Sequence, residues 1–180
     1  MLRFILVFLF LLSNANADNR EKIIERLKNT SSINFEFEQN ISGKIEKGNC
    51  VIKYPKKIFC KYKKSNNKIL VSNGKSLVVK TKTSYYRYPL EKTALNFILD
   101  KKFMIEKIYN FEESMVDNEM INYKIFEREN EMNVFFDNKS FDLIGWQIKD
   151  IYQNNSITYI SNTRINEEIN DHMFSLPIQN

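Results

Sequence analysis

The spacing of apolar and polar residues along this chain changes several times, and each change marks an element. Residues 4–12 are an unbroken apolar run, preceded by Arg3 and followed by Ala15-Asn16-Ala17. This is the three-part pattern of a secretory signal peptide. The run is far shorter than the about 20 residues that span a bilayer. No cysteine lies near the cleavage point, so the chain is not expected to be a lipoprotein itself. The expectation is a leader over residues 1–17, cleaved after Ala17, and a soluble exported domain over residues 18–180. Residues 19–29 then read as a helix, with Ile23, Ile24 and Leu27 on one face and Asp18 or Asn19 as its cap.

From Ile33 the period becomes two. Ile33, Phe35, Phe37 and Ile41 point one way, and Asn34, Glu36, Glu38, Asn40 and Ser42 the other. That is a strand with one buried and one wet face. Residues 45–54 and 57–64 predict a hairpin pivoting on Pro55. Cys50, Ile52, Tyr54, Ile58, Cys60 and Tyr62 share one face, and Val51, Lys53, Phe59, Lys61 and Lys63 the other. Residues 68–72 and 76–81 predict a second hairpin, with Asn73-Gly74 supplying a tight turn. Residues 84–88 form a further strand ended by Pro89. Thr93 is expected to cap a short helix over 93–99 that is apolar nearly all round, closed by Asp100-Lys101-Lys102. Strands are expected again at 103–109, 120–128, 132–136, 141–152 and 156–165, with a last one carrying Met173, Phe174 and Leu176. Residues 110–119 fit no single pattern. Strands in hairpin series with helical interruptions indicate one antiparallel α+β domain. Gly (4) and Pro (3) are too scarce for a linker or a second domain.

Charge and cysteine change this picture little. The net charge is +5, one unit of it from Arg3 in the leader. In an exported protein that argues against nucleic acid and for weak attraction to anionic membrane surfaces. Two cysteines, Cys50 and Cys60, fit one disulfide in an exported chain.

Candidate chemistry is sparse. His172, the single histidine, lies in the polar stretch Asn170-Asp171-His172 and reads as a solvated turn residue rather than a general base. The two cysteines have no histidine nearby, so no zinc site or other metal site is expected. Glu112-Glu113 and Glu167-Glu168 are adjacent pairs that face opposite ways on a strand, and read as surface charge. Gly74-Lys75-Ser76 lacks the upstream glycine and the helix of a phosphate loop. No enzyme activity and no cofactor are expected. What remains is aromatic surface: 14 Phe, 9 Tyr and 1 Trp. A sheet with one apolar face under an apolar helix could fill its own core or surround an apolar ligand.

Several segments carry a family resemblance. Phe35-Glu36-Phe37-Glu38-Gln39, Val51-Ile52-Lys53-Tyr54-Pro55 and above all Ile69-Leu70-Val71-Ser72-Asn73-Gly74-Lys75-Ser76-Leu77 resemble motifs of the LolA family. These are periplasmic carriers of outer-membrane lipoproteins in Gram-negative bacteria. Gly145-Trp146-Gln147-Ile148 and Phe174-Ser175-Leu176-Pro177 follow in the family's order. The resemblance implies a curved, half-open antiparallel sheet, barrel-like and closed by a helical lid. It implies a monomeric periplasmic chaperone that accepts triacylated lipoproteins from an inner-membrane ABC lipoprotein-releasing transporter. It would shield their acyl chains in a hydrophobic cavity and pass them to an outer-membrane acceptor resembling LolB.

On this reading Phe35, Phe37, Ile52, Tyr54, Ile58 and Tyr62 form the sheet side of the cavity. Leu95, Phe97, Ile98 and Leu99 form the lid, with Ile23, Ile24 and Leu27 contributing from the first helix. Where many members have an arginine before the turn proline, implicated in lid closure, this chain has Tyr54. The latch is then either absent or replaced by a hydrogen bond of the tyrosine hydroxyl. Cys60 stands where the family often has a cavity tryptophan, and Cys50 faces it across the hairpin, so the two are expected to be bonded. The alternative function is a lipid- or lipoprotein-sensing module on the same fold, acting in envelope stress signalling. A hydrolase and a purely structural protein with a filled core are the remaining readings.

Overall fold

The computed structural model describes residues 19–116, 119–127, 130–150 and 152–179. The leader expected at 1–17 lies outside them. Helix α1 (Asn19–Lys28) leads into β1 (Ser32–Ile41), β2 (Lys44–Lys53), β3 (Lys57–Tyr62), β4 (Ile69–Asn73), β5 (Ser76–Lys80) and β6 (Tyr85–Pro89). A 3-10 turn (Leu90–Lys92) and two helices, α2 (Leu95–Ile98) and α3 (Lys101–Asn110), follow. Strands β7 (Glu113–Val116), β8 (Met120–Glu127), β9 (Asn130–Asp137), β10 (Leu143–Lys149) and β11 (Asn155–Ile165) and a 3-10 turn (Asp171–Phe174) complete the chain.

The strands form one antiparallel sheet in the order β6-β5-β4-β3-β2-β1-β11-β10-β9-β8-β7. Two meanders are thus joined where β11 returns to pair with β1. The chain must travel from one free edge, β6, to the other, β7, and α2 and α3 are that connection. They pack with each other and with α1, and their buried residues join those of the strands in one core. The fold that the family resemblance implies, a single-domain open antiparallel sheet with a few helices, is the fold observed.

Four local expectations are corrected. Residues 103–109 are helical, not a strand: Asp100 caps α3 by accepting a hydrogen bond from the Phe103 backbone N–H at 3.2 Å. Met104 and Ile108, four residues apart, are buried on one helical face. Thr93 does not cap α2; its hydroxyl donates to the Leu90 carbonyl (2.8 Å) and ends the 3-10 turn instead. Residues 171–174 are a 3-10 turn rather than part of a strand, and Phe174 is buried while Met173 is exposed. At Asn73-Gly74 only Gly74 has positive φ (+94°). Asn73 acts through its side chain, accepting from the N–H groups of Lys75 and Ser76 at 3.0 Å each.

Neither acidic pair is merely surface charge. Glu113 accepts from the Tyr123 hydroxyl (2.9 Å) and from Asn19 (3.3 Å), tying the sheet edge to the start of α1. Glu167 accepts from Asn34 (3.1 Å). On the outer face, Val51, Phe59, Val71 and Val78 stand in register across four strands. The closing 3-10 turn packs on β3 and β4, and Lys53 and Lys57 both pair with Asp171.

Candidate functional site

Antiparallel register turns period-two alternation into rows of side chains on the inner face of the sheet. One row is Ile33, Ile52, Ile58, Ser72 and Leu77. The next is Phe35, Cys50, Cys60, Leu70 and Val79. Then come Ile160, Phe37, Gly48 and Tyr62. Beyond these the same parity brings polar groups inward: Gln39 opposite Glu46 and Thr158, and Ile41 opposite Lys44 and Ser156. The inner face therefore grades from apolar to polar along the strands.

Part of this face is filled and part is open. Ile23, Ile24, Leu27, Ile98, Leu99, Met104 and Ile108 close one part as ordinary core. The other part encloses a cavity of about 300 Å³. Phe35, Phe37, Ile58, Leu77 and Trp146 form its apolar walls, Leu95 reaches in from α2, and Gln39, Glu46, Lys68, Ser156 and Thr158 are polar groups on its lining. Phe35 and Trp146 meet edge to face at 6.2 Å, as do Phe37 and Tyr62 at 5.0 Å. A disulfide joins Cys50 to Cys60 within the lining. The Phe37 ring lies over Gly48, where a Cβ would also strike the Lys61 carbonyl. At the rim, Tyr86 of the edge strand β6 meets Tyr152 of the β10–β11 turn edge to face at 6.3 Å.

Of the residues expected on the sheet side, Phe35, Phe37, Ile58 and Tyr62 line the cavity, with both cysteines. Ile52 does not; it is wholly buried beneath the helices. Tyr54 does not either. Its ring lies under the Lys101 ammonium (5.8 Å), its hydroxyl is buried without a hydrogen-bond partner, and burial pushes the phenol well above its ordinary pKa. Of the expected lid residues only Leu95 lines the cavity. Ile23, Ile24, Leu27, Ile98 and Leu99 are core, and Phe97 packs on Phe103 at 4.8 Å.

The turn after β2 reaches the helices through lysines instead of Tyr54. The Lys56 backbone N–H donates to the Leu99 carbonyl (2.9 Å), and its ammonium pairs with Asp100 at 3.1 Å. Lys101 donates to the carbonyls of Lys28 (3.1 Å) and Thr30 (2.8 Å), joining α3 to the end of α1, and burial lowers its pKa. His172 is exposed on the closing turn.

The polar lining was missed by sequence reasoning. The Glu46 side chain is only 4% exposed and lies between Lys68 (2.5 Å) and Lys44 (3.0 Å). Burial acts to raise its carboxyl pKa, but hydrogen bonds from the two lysines outweigh it and hold the group below its ordinary value. The Lys68 ammonium also sits 4.1 Å from the centre of the Tyr62 ring. The Tyr62 hydroxyl donates to Gln39 (3.4 Å), which donates to Ser156 (2.8 Å) and Thr158 (3.1 Å). Parity alone could have found Gln39 and Glu46, since they share the facing of Phe37 and Cys50.

A family model described as outer membrane lipoprotein carrier protein LolA matches residues 22–177. No curated protein sequence matches the chain. Among solved structures, a LolA superfamily protein from Nitrosomonas europaea is similar with a TM-score of 0.46 and 8% identity, over 89% of this chain and 99% of that one. The Pseudomonas aeruginosa MucA/MucB complex gives 0.47 and 8%, over 89% and 62%. The Mycobacterium tuberculosis lipoprotein LppX gives 0.43 and 12%, over 84% and 95%.

Proposed function

Because the chain belongs to the family of the outer membrane lipoprotein carrier protein LolA, we propose that it is a periplasmic carrier that shields lipoprotein acyl chains on the inner face of its sheet and moves them from the inner to the outer membrane. The observation that carries this reading is the cavity itself, walled by aromatic and aliphatic side chains and bordered by α2. Each acyl methylene kept from water contributes about 0.8 kcal/mol, so a lipoprotein does not cross an aqueous compartment unaided.

The cavity's volume of about 300 Å³ lies at the low end for ligand sites. It is of the size of one chain rather than three. A triacylated cargo therefore needs the helices to lift, exposing the inner-face residues that they now cover. The contacts of Lys56 with Leu99 and Asp100 tie the turn after β2 to the helices and would have to yield for the helices to lift. Loading by an inner-membrane ABC transporter and delivery to an outer-membrane acceptor supply the two opening events. Export by the leader at 1–17 places the carrier where both are reached.

The test is to express the chain in a periplasm with a tagged lipoprotein, purify it, and look for triacylated cargo by mass spectrometry. Near-equal amounts of cargo, released to outer-membrane vesicles, are expected. Cargo that binds but is never released favours a lipid- or lipoprotein-sensing module. A protein that takes neither cargo nor an apolar fluorescent probe overturns the carrier reading.

A further inference from the structure

The polar lining is not what a container for hydrocarbon requires. A buried carboxylate between two ammonium groups loses hydration that its pairing only roughly repays, and apolar residues of similar volume serve stability as well. Here the ions gather at one end of an apolar cavity. Gln39 stands at the C-terminal end of β1, Glu46 and Lys44 at the start of β2, and Ser156 and Thr158 at the start of β11. Lys68 stands just ahead of β4. Glu46 is ionised at neutral pH, since its two lysines hold its pKa down. Glu46, Lys44 and Lys68 together therefore carry one surplus positive charge. Lys149 and Asp150, also on the lining, cancel each other. Next to the surplus charge stand the hydroxyls of Ser156 and Thr158 and the Gln39 amide.

From this gradient we infer that the cavity is a site for a free amphiphile with one anionic head group, a carboxylate or a phosphodiester. The head group sits at the polar end of the cavity, beside the Lys68 and Lys44 ammonium groups that Glu46 bridges, and the chain lies against Phe35, Leu77 and Trp146. The inference rests on the acyl-chain reading of the cavity and adds a ligand class to it: a monoanionic single-chain lipid, which suits one-chain volume and a +1 site. Lys68 is the discriminating group, since it lines the cavity with its side chain 20% exposed, whereas the Lys44 side chain is 74% exposed.

The experiment uses the exported, disulfide-bonded protein loaded with N-phenyl-1-naphthylamine, an uncharged apolar fluorophore. Dodecanoate and a lysophosphatidylglycerol are competed against uncharged dodecanol and a monoacylglycerol, at mildly alkaline pH. The anions are expected to displace the probe at about tenfold lower concentration or better, the low end of what hydrogen bonds to a charged group contribute. Preference for one anion over the other identifies the head group. Lys68→Met is expected to erase the preference of the anions over their uncharged counterparts. Glu46→Gln, which leaves both lysines unopposed, is expected to enlarge it and so tests the idea even if Lys68→Met does not fold. Equal potency of acid and alcohol in the unaltered protein, or a preference that neither variant moves, overturns the inference and leaves the acyl-chain site standing. A protein that binds no probe at all overturns the carrier reading.

Discussion

Leu95 and Ile98 lie one turn apart on α2, yet the structure gives them different work. Leu95 borders the cavity and is 9% exposed, whereas Ile98 is wholly buried in the core beneath the helix. Leu95→Glu places a carboxylate on the cavity wall. An apolar guest then loses a contact of about 1.5–3 kcal/mol from the leucine side chain. It also strips water from an ion, at a cost of several kcal/mol. Together these weaken binding of N-phenyl-1-naphthylamine by at least about a hundredfold, since about 2.7 kcal/mol is already that factor. The fold is affected less, because the carboxylate can remain hydrated in the empty cavity; a stability loss within about 2 kcal/mol is expected, typical of single substitutions. Ile98→Glu has no such outlet and is expected to disrupt the domain. The assay is probe titration beside near-ultraviolet circular dichroism and thermal melting of both variants. Normal probe binding by a natively folded Leu95→Glu protein refutes the assignment of α2 to the cavity wall.

Three further outcomes are expected. Glu46 titrates below its ordinary value of 4.5 in the native state, so the unfolded chain takes up that proton first. Its contribution is complete at neutral pH and is lost as the pH falls through the carboxylate range. Glu46→Gln should flatten the acid limb of urea-melting midpoints, and an unchanged limb contradicts the pairing with Lys44 and Lys68. Opening the Cys50–Cys60 bridge, which closes a loop of sequence separation 10, should cost roughly 2–3 kcal/mol on the chain-entropy model. That lowers Tm by roughly 5–10 °C for a domain of this size, measured with and without reductant. Gly48→Ala drives a Cβ into the Lys61 carbonyl and the Phe37 ring and should cost at least about 2 kcal/mol. A melting temperature equal to that of the unaltered protein contradicts the close contact.

Much of the fold was legible locally. Alternation at 33–41, 45–54 and 120–128 marked strands whose inner faces are as expected, because side chains on a strand must alternate. The matched facing of Cys50 and Cys60 followed from the same rule, and the structure pairs them directly across the hairpin. Residues 103–109 were not legible in this way. Phe103, Ile105 and Tyr109 suit alternation as well as a helix, and the choice lies with the Asp100 cap and the burial of Met104 and Ile108 against neighbouring elements. Likewise Phe174 was recognisable as apolar, but only packing against β3 and β4 turned its segment into a 3-10 turn.

The candidate site divides in the same way. Phe35, Phe37, Ile58 and Tyr62 could be placed on one face from parity alone, and they do line the cavity. Which apolar residues fill space and which leave it open could not, because Ile52 and Leu95 are equally apolar in the sequence. The crossing of α2 and α3 between the two sheet edges buries the first and leaves the second at a void. The charged end of the cavity depends still more on tertiary structure. Gln39, Glu46, Lys68, Ser156 and Thr158 come from four separate strands or their flanks, up to 119 residues apart along the chain. Periodicity decides which way a side chain faces. Only strand order and register, set by the return of β11 to β1, bring distant polar groups to one place and give an apolar cavity a charged end.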